Sequence, residues 1–200
     1  MIDNTFRALL PGRVGLMIGL YERLGLTPNQ VSFVGFAIAV CAALAVAFGA
    51  TWTAVALWWV SRLVDGTDGV YARSTGQASR FGAYLDIVLD MAAYGAMVLG
   101  FAWWHPELGP AWIAMLFLYV LCITSALALG AEEAEAGIEA RDDRGLRLGA
   151  GLAEGGETGI AYTAMLLLPV WLTPLAITWI VVLATTVVAR TLLAARTLRG

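Results

Sequence analysis

Six stretches of this chain, residues 31–50, 51–64, 82–104, 111–130, 159–171 and 174–195, approach the roughly 20 apolar residues that a helix needs to cross a bilayer. Lipid offers no partner to an open backbone amide, so such runs must fold as helices that satisfy their own hydrogen bonds. The second and fifth runs are short, and are expected to borrow flanking polar residues that face protein rather than lipid. The chain is 60% hydrophobic and 14% charged, whereas soluble domains are about 45–50% apolar and about 25% charged. A soluble globule and a disordered chain are both excluded. With only Cys41 and Cys122, each inside an apolar run, so is a disulfide scaffold. The expected fold is an all-α integral membrane protein, one domain over 1–200, with a six-helix bundle over 31–200.

Residues 1–30 do not read as a signal peptide. They carry Asp3, Arg7, Arg13, Glu22 and Arg23, and Pro11 interrupts any apolar core. Leu9, Leu10, Val14, Met17, Ile18 and Tyr21 recur at helical spacing, which predicts an amphipathic helix in the membrane interface; a solvated tail is the alternative. All twelve basic residues are Arg. Arg7, Arg13 and Arg23 precede the first run, Arg62, Arg73 and Arg80 surround the link between the second and third, Arg141, Arg144 and Arg147 lie between the fourth and fifth, and Arg196 and Arg199 follow the sixth. Arg190 falls in the last turns of the sixth run, from which it is expected to snorkel to the same side. The opposite loops, near Thr51, His105 and Pro174, have no Arg. The positive-inside rule then puts both termini and both long polar loops in the cytoplasm, which requires an even number of spans. A net charge of −3 without a basic tail gives no reason to expect nucleic acid as a partner.

Four of the seven aspartates fall within 26 residues: Asp65, Asp68, Asp86 and Asp90. An Asp near the middle of a membrane helix costs about 2.5–3.5 kcal/mol on insertion scales, so a compensating partner is expected. Residues three or four apart share a helix face, which makes Asp65/Asp68 one pair and Asp86/Asp90 another. If the two helices are antiparallel neighbours, four carboxylates converge, and their repulsion at low dielectric calls for protonation or a divalent cation. An all-oxygen ligand set suits Mg²⁺ or Mn²⁺. A proton relay, a carboxylate-lined cation transporter, and ion pairing to Arg73 and Arg80 are the competing readings.

The order of residues separates these readings. It runs Asp65-x-x-Asp68-Gly69-x-x-Ala72-Arg73, eight residues, then Gly82-x-x-x-Asp86-x-x-x-Asp90. All eight positions resemble the signature of the CDP-alcohol phosphotransferase family of integral membrane enzymes. The segment Thr27-Pro28-Asn29-Gln30-Val31-Ser32 and the six-run layout extend the resemblance over the chain. The resemblance implies transfer of a phospho-alcohol, here a phosphatidyl group, from a CDP-alcohol such as CDP-diacylglycerol to a second alcohol, with release of CMP. It implies two Mg²⁺ or Mn²⁺ ions held by Asp65, Asp68, Asp86 and Asp90, and it makes Asp90 the proton acceptor for the incoming hydroxyl. A metal pair about 3.5–4 Å apart stabilises both the non-bridging oxygens and the leaving group of such a displacement. By the same resemblance Asn29, Gln30, Val31, Ser32, Gly69, Ala72, Arg73, Ser79 and Gly82 line the CDP-alcohol site, and the protein is a homodimer in the cytoplasmic membrane.

Physical chemistry offers a reason for several of these positions. Gly69 and Ala72 are small where a nucleotide approaches the backbone, and Arg73 presents a permanently charged fork to phosphate. Gly82 is open to a second reading as a helix-packing residue, and Asn29 or Ser32 to one as a helix N-cap. The 131–158 stretch is the other concentration of polar residues. It begins with Glu132, Glu133 and Glu135 and ends with Glu154 and Glu157, and the chain has no Lys at all. Ionised carboxylates only accept hydrogen bonds, so Glu154 and Glu157 are candidates for holding a small, non-phosphorylated alcohol. Arg141, Arg144 and Arg147 read equally well as anchors to lipid headgroups. Trp58, Trp59, Trp103, Trp104, Trp112, Trp171 and Trp179 fall mostly near run ends, as in an interfacial aromatic belt. An aspartate-rich Mg²⁺-dependent prenyltransferase is the enzymatic rival, but it calls for a second Asp-rich motif, and Asp142-Asp143 has no third member.

Overall fold

The computed structural model describes residues 11–137 and 155–198. They form two compact units that divide after Pro106. The first holds four helices: α1 (Pro11–Arg23), α2 (Pro28–Ala47), α3 (Thr51–Ser74) and α4 (Arg80–Trp104).

The first unit is organised by α2. Its start is fixed by a capping box in which Thr27 Oγ1 accepts from the Gln30 amide (3.4 Å) and Gln30 Oε1 accepts from the Thr27 amide (2.8 Å). Pro28 follows in the first turn, where its missing N–H costs nothing. The buried stripe of α2 is made of small residues, Gly35, Ala39, Ala42 and Ala43, ending at Val46. Small side chains let other helices approach closely where hydrophobic burial supplies little driving force. On one side Ser61 of α3 donates to the Gly35 carbonyl (2.9 Å). On the other, Gly100 of α4 lies so near Ala43 that a Cβ would run into that carbonyl. Thus α2 packs tightly on both α3 and α4, whereas those two do not approach each other to the same degree. Gly49, at φ +70°, makes the turn from α2 into α3.

The run expected over 51–64 is only the apolar part of α3. The helix continues unbroken for 24 residues, through Asp65, Asp68 and Arg73 to Ser74. Helix α1 turns Met17, Ile18 and Tyr21 inward against Val31, Ile38, Val64 and Tyr71, and Tyr21 shares a hydrogen bond with Thr67 Oγ1 (2.9 Å). The apolar face expected to meet lipid is therefore docked on α2 and α3 at those three positions, while Leu16 and Leu20 stay exposed. Leu9, Leu10 and Val14 lie outside the residues whose side chains are described.

The second unit contains α5 (Gly109–Glu135), α6 (Gly155–Leu167) and α7 (Leu172–Thr197), with short 3-10 turns before α5 and α7. Helix α7 packs against both α5 and α6. Met115 and Trp112 of α5, Tyr162 and Met165 of α6, and Ala176 and Leu183 of α7 are fully buried.

Among the described residues, four helical stretches are long and apolar enough to cross a membrane: Pro28–Ala47, Arg80–Trp104, Pro106–Glu135 and Pro169–Thr197. Helices α3 and α6 occupy the other two expected positions. The first carries Arg62, Asp65, Asp68 and Arg73, and the second is only 13 residues long. Large apolar side chains such as Phe33, Phe48, Leu99, Phe117 and Val181 point outward, as expected of surfaces that meet lipid.

Candidate active site

The aspartate pairs lie on α3 and α4, the two helices that α2 holds. Asp65, Asp68 and Asp86 each bring a carboxylate oxygen within 4.8 Å of the others. Asp68 is buried, and Asp65 and Asp86 are half-buried. The spacing between α3 and α4 gives these carboxylates room to meet side chain to side chain. Ser32 completes the arrangement from α2: its buried hydroxyl donates to Asp68 Oδ2, with the Pro28 carbonyl 3.3 Å away. That bond holds one oxygen of Asp68 from outside its own helix.

The fourth aspartate takes a different partner. Asp90 Oδ1 accepts from the Arg62 guanidinium, whose same nitrogen lies 3.6 Å from Asp65 Oδ2. Arg62, counted in the sequence among the arginines between the second and third runs, lies within α3 and is turned inward. Its side chain is 10% exposed, and the guanidinium lies 4.7 Å from the Trp58 ring centroid and 5.4 Å from that of Tyr94. The cation–π attraction and the two carboxylates together offset its removal from water. Sequence reasoning missed Arg62 because a basic residue near a span end reads as an orientation signal. The available signal was its place three residues before Asp65, inside an apolar run.

Oxygens bound to one Mg²⁺ at about 2.0–2.1 Å in an octahedron lie no more than about 4.2 Å apart. Adjacent oxygens of that octahedron are about 3 Å apart, so carboxylates whose oxygens lie within 4.8 Å of one another hold such an ion after side-chain adjustments of up to about 2 Å, and their hard-oxygen chemistry suits Mg²⁺ or Mn²⁺. Three carboxylates together without a cation would repel strongly.

The residues expected at the nucleotide divide into two groups. Asn29 Oδ1 and Ser79 Oγ would each lie 3.2 Å from a Cβ placed on Gly82, so this glycine leaves room for two polar atoms. Ser79 is the N-cap of α4, accepting from the Gly82 amide at 3.0 Å. The Arg73 guanidinium is folded back toward Gly69, 3.4 Å from where a Cβ would stand, and Ala72 is half-buried on the same helix. The other group has internal duties. Gln30 closes the capping box, Val31 is in the packed cluster with Tyr21 and Tyr71, and Ser32 serves Asp68. The N-cap of α2 is Thr27 rather than Asn29 or Ser32.

In the second unit, Glu157 is half-buried in the first turn of α6, and its Oε2 has no hydrogen-bond partner among the described residues. Glu154, Arg141, Arg144 and Arg147 lie outside the described residues. Arg190 does not snorkel: it is 3% exposed and donates to the Cys122 carbonyl and to Ser125 Oγ (3.3 Å). These acceptors give the guanidinium an internal solution that a short reach to the interface would otherwise supply. The aromatic belt is also only partial. Trp103 and Trp171 are exposed, but Trp58, Trp112 and Trp179 are buried; Trp179 Nε1 donates to Tyr119 Oη (2.8 Å), which Tyr162 also contacts (2.8 Å).

Comparison with known proteins agrees with this geometry. Residues 25–190 match the family model for CDP-alcohol phosphatidyltransferase. The inner membrane protein YnjF of Escherichia coli K12 is 30% identical over 176 residues, 86% of this chain and 84% of that protein. A phosphatidylinositol phosphate synthase of Mycobacteroides abscessus is 32% identical over 134 residues, 66% of this chain and 58% of the relative. The crystal structure of Mycobacterium tuberculosis phosphatidylinositol phosphate synthase with manganese and citrate superposes with a TM-score of 0.69 at 26% identity, covering 92% of this chain and 89% of that one. The same enzyme with CDP-DAG bound gives a TM-score of 0.60 at 26% identity, covering 93% and 92%.

Proposed function

This chain belongs to the CDP-alcohol phosphatidyltransferase family, and from that premise we propose that it transfers a phosphatidyl group from CDP-diacylglycerol to a small alcohol and releases CMP. It is an integral membrane enzyme of phospholipid synthesis. The observation that carries the reading is the gathering of Asp65, Asp68 and Asp86 within 4.8 Å on the family's signature positions. In the proposed reaction the acceptor hydroxyl attacks the phosphorus that bears the lipid. The bond from that phosphorus to the oxygen of CMP breaks, and the hydroxyl proton goes to Asp90. Bound cations, two of them in this proposal, neutralise the diphosphate and the departing CMP. Arg73, reaching back over Gly69, and the polar pair Asn29 and Ser79 beside Gly82 are proposed to hold the donor. In this reading six helices cross the cytoplasmic membrane with both termini and the aspartates on the cytoplasmic side, and the protein works as a homodimer.

The acceptor is proposed to be non-phosphorylated, an amino alcohol or polyol. A phosphorylated acceptor brings about two negative charges near neutral pH, and this chain offers Glu132, Glu133, Glu135, Glu154 and Glu157 with no Lys. A second reading, an inositol phosphate acceptor, is favoured by the phosphatidylinositol phosphate synthases among its relatives. Purified enzyme given CDP-diacylglycerol with serine, myo-inositol, glycerol phosphate and inositol phosphate in parallel decides between them. CMP release with serine or myo-inositol supports the first reading. Release with the phosphorylated pair alone overturns it and leaves the phosphatidyltransferase assignment standing.

A further inference from the structure

The Arg62–Asp90 pair sits one helical turn from the carboxylate cluster on each helix, Arg62 before Asp65 on α3 and Asp90 after Asp86 on α4. Among the described contacts, five residues meet the guanidinium. Trp58, Ser61 and Asp65 come from α3, and Asp90 and Tyr94 from α4. Ser61 Oγ accepts from Arg62 (3.1 Å) and donates to the Gly35 carbonyl, which links the guanidinium to α2. The site is therefore braced by all three helices that make the cluster.

Stability alone does not account for it. A buried ion pair rarely outperforms an apolar pair of the same size, because desolvation offsets the Coulombic gain. Arg62 also leaves its buried Nε–H without a hydrogen-bond partner among the described residues. What the pair does accomplish is directional. One Arg62 nitrogen meets Asp90 Oδ1 and lies 3.6 Å from Asp65 Oδ2, so the arginine fixes Asp90 by one oxygen at the edge of the cluster that Asp65, Asp68 and Asp86 form.

We propose that Arg62 is the positioning residue for Asp90. It holds Oδ1 so that Oδ2 faces the acceptor hydroxyl. This rests on the reading of Asp90 as the proton acceptor. Asp90, held by an arginine, then takes the proton beside the carboxylates that gather around the cations.

The test uses the full chain, purified in lipid discs, as Arg62→Gln, Arg62→Lys and Asp90→Asn. The readouts are kcat, KM for CDP-diacylglycerol, and Mn²⁺ affinity measured by electron paramagnetic resonance without substrate. A misplacement of about 1 Å costs about 100-fold in rate, so Arg62→Gln should lower kcat by about that factor with KM and Mn²⁺ affinity unchanged. Arg62→Lys, which keeps the charge but not the fork, should recover part of kcat. Wild-type kcat in Arg62→Gln overturns the inference, as does a loss of Mn²⁺ affinity as large as the loss of kcat, which would place Arg62 in the service of the cluster. If Arg62→Gln does not fold, Arg62→Lys decides: reduced kcat with unchanged KM and Mn²⁺ affinity supports the inference, and any other pattern overturns it. Turnover by Asp90→Asn at the parent rate overturns the base assignment itself. An inactive Asp90→Asn beside a fully active Arg62→Gln overturns only the role of Arg62.

Discussion

Replacing Ser32 by alanine tests whether the metal ligands are oriented from outside their own helices. The Ser32 hydroxyl is the only group α2 lends to Asp68 among the described contacts, and it donates to Oδ2 from a site 6% exposed. A hydrogen bond to a charged group is worth about 1.5–3 kcal/mol net. At about 1.4 kcal/mol per tenfold this corresponds to about 10–150-fold in affinity. Removing a hydrogen-bonding supporter of a metal ligand commonly costs 10–100-fold, roughly the same range. So little exposure leaves poor access for a water that could stand in for the hydroxyl. The metal-free protein should also lose stability, by at most about 1.5–3 kcal/mol, partly offset by alanine's preference for the interior of a helix. The assay is Mn²⁺ titration of purified protein by electron paramagnetic resonance, beside the Mg²⁺ dependence of CMP release. The expected result is a weaker metal affinity and a raised Mg²⁺ requirement in a protein that still folds. Parent-like Mn²⁺ affinity in a folded Ser32→Ala protein would refute the reasoning.

Two further substitutions separate architecture from chemistry. Gly100→Ala drives a Cβ into the Ala43 carbonyl and should destabilise by about 1–3 kcal/mol; a melting temperature equal to the parent's contradicts the close α2–α4 approach. Ser79→Ala removes the N-cap of α4 at a cost of about 0.5–2 kcal/mol, and if Ser79 also touches the donor it raises KM for CDP-diacylglycerol. Ser79→Asn, which can still cap, should restore stability but not KM; restoration of both reduces Ser79 to a cap.

Much of the site was legible because spacing on a helix is a rigid rule. Asp65 and Asp68 had to share a face, Asp86 and Asp90 had to share another, and the eight signature positions named the chemistry. What escaped the sequence was which groups lie across from which. Nothing in one dimension says that α2 inserts its small-residue stripe between contacts to α3 and α4, or that the space so created admits three carboxylates with Arg62 between Asp65 and Asp90. Arg62 and Arg190 both read as charges near a span end, and both turn inward because carboxylates or carbonyls are nearer than water. Gln30 and Ser32, expected in the nucleotide wall, also have structural roles, and the Thr27-x-x-Gln30 pattern of a capping box signals the one at Gln30. Trp58 and Trp179 read as belt residues because position along a span says nothing about rotation around it.

The most direct measurement is CMP release from CDP-diacylglycerol by the purified chain in lipid discs, with an acceptor mixture, in Mg²⁺, Mn²⁺ and excess EDTA. The account predicts CMP formed mole for mole with a new phospholipid in either metal, none in EDTA, and recovery when the metal is returned. Full CMP release in EDTA, or no release with any acceptor in either metal, would contradict it.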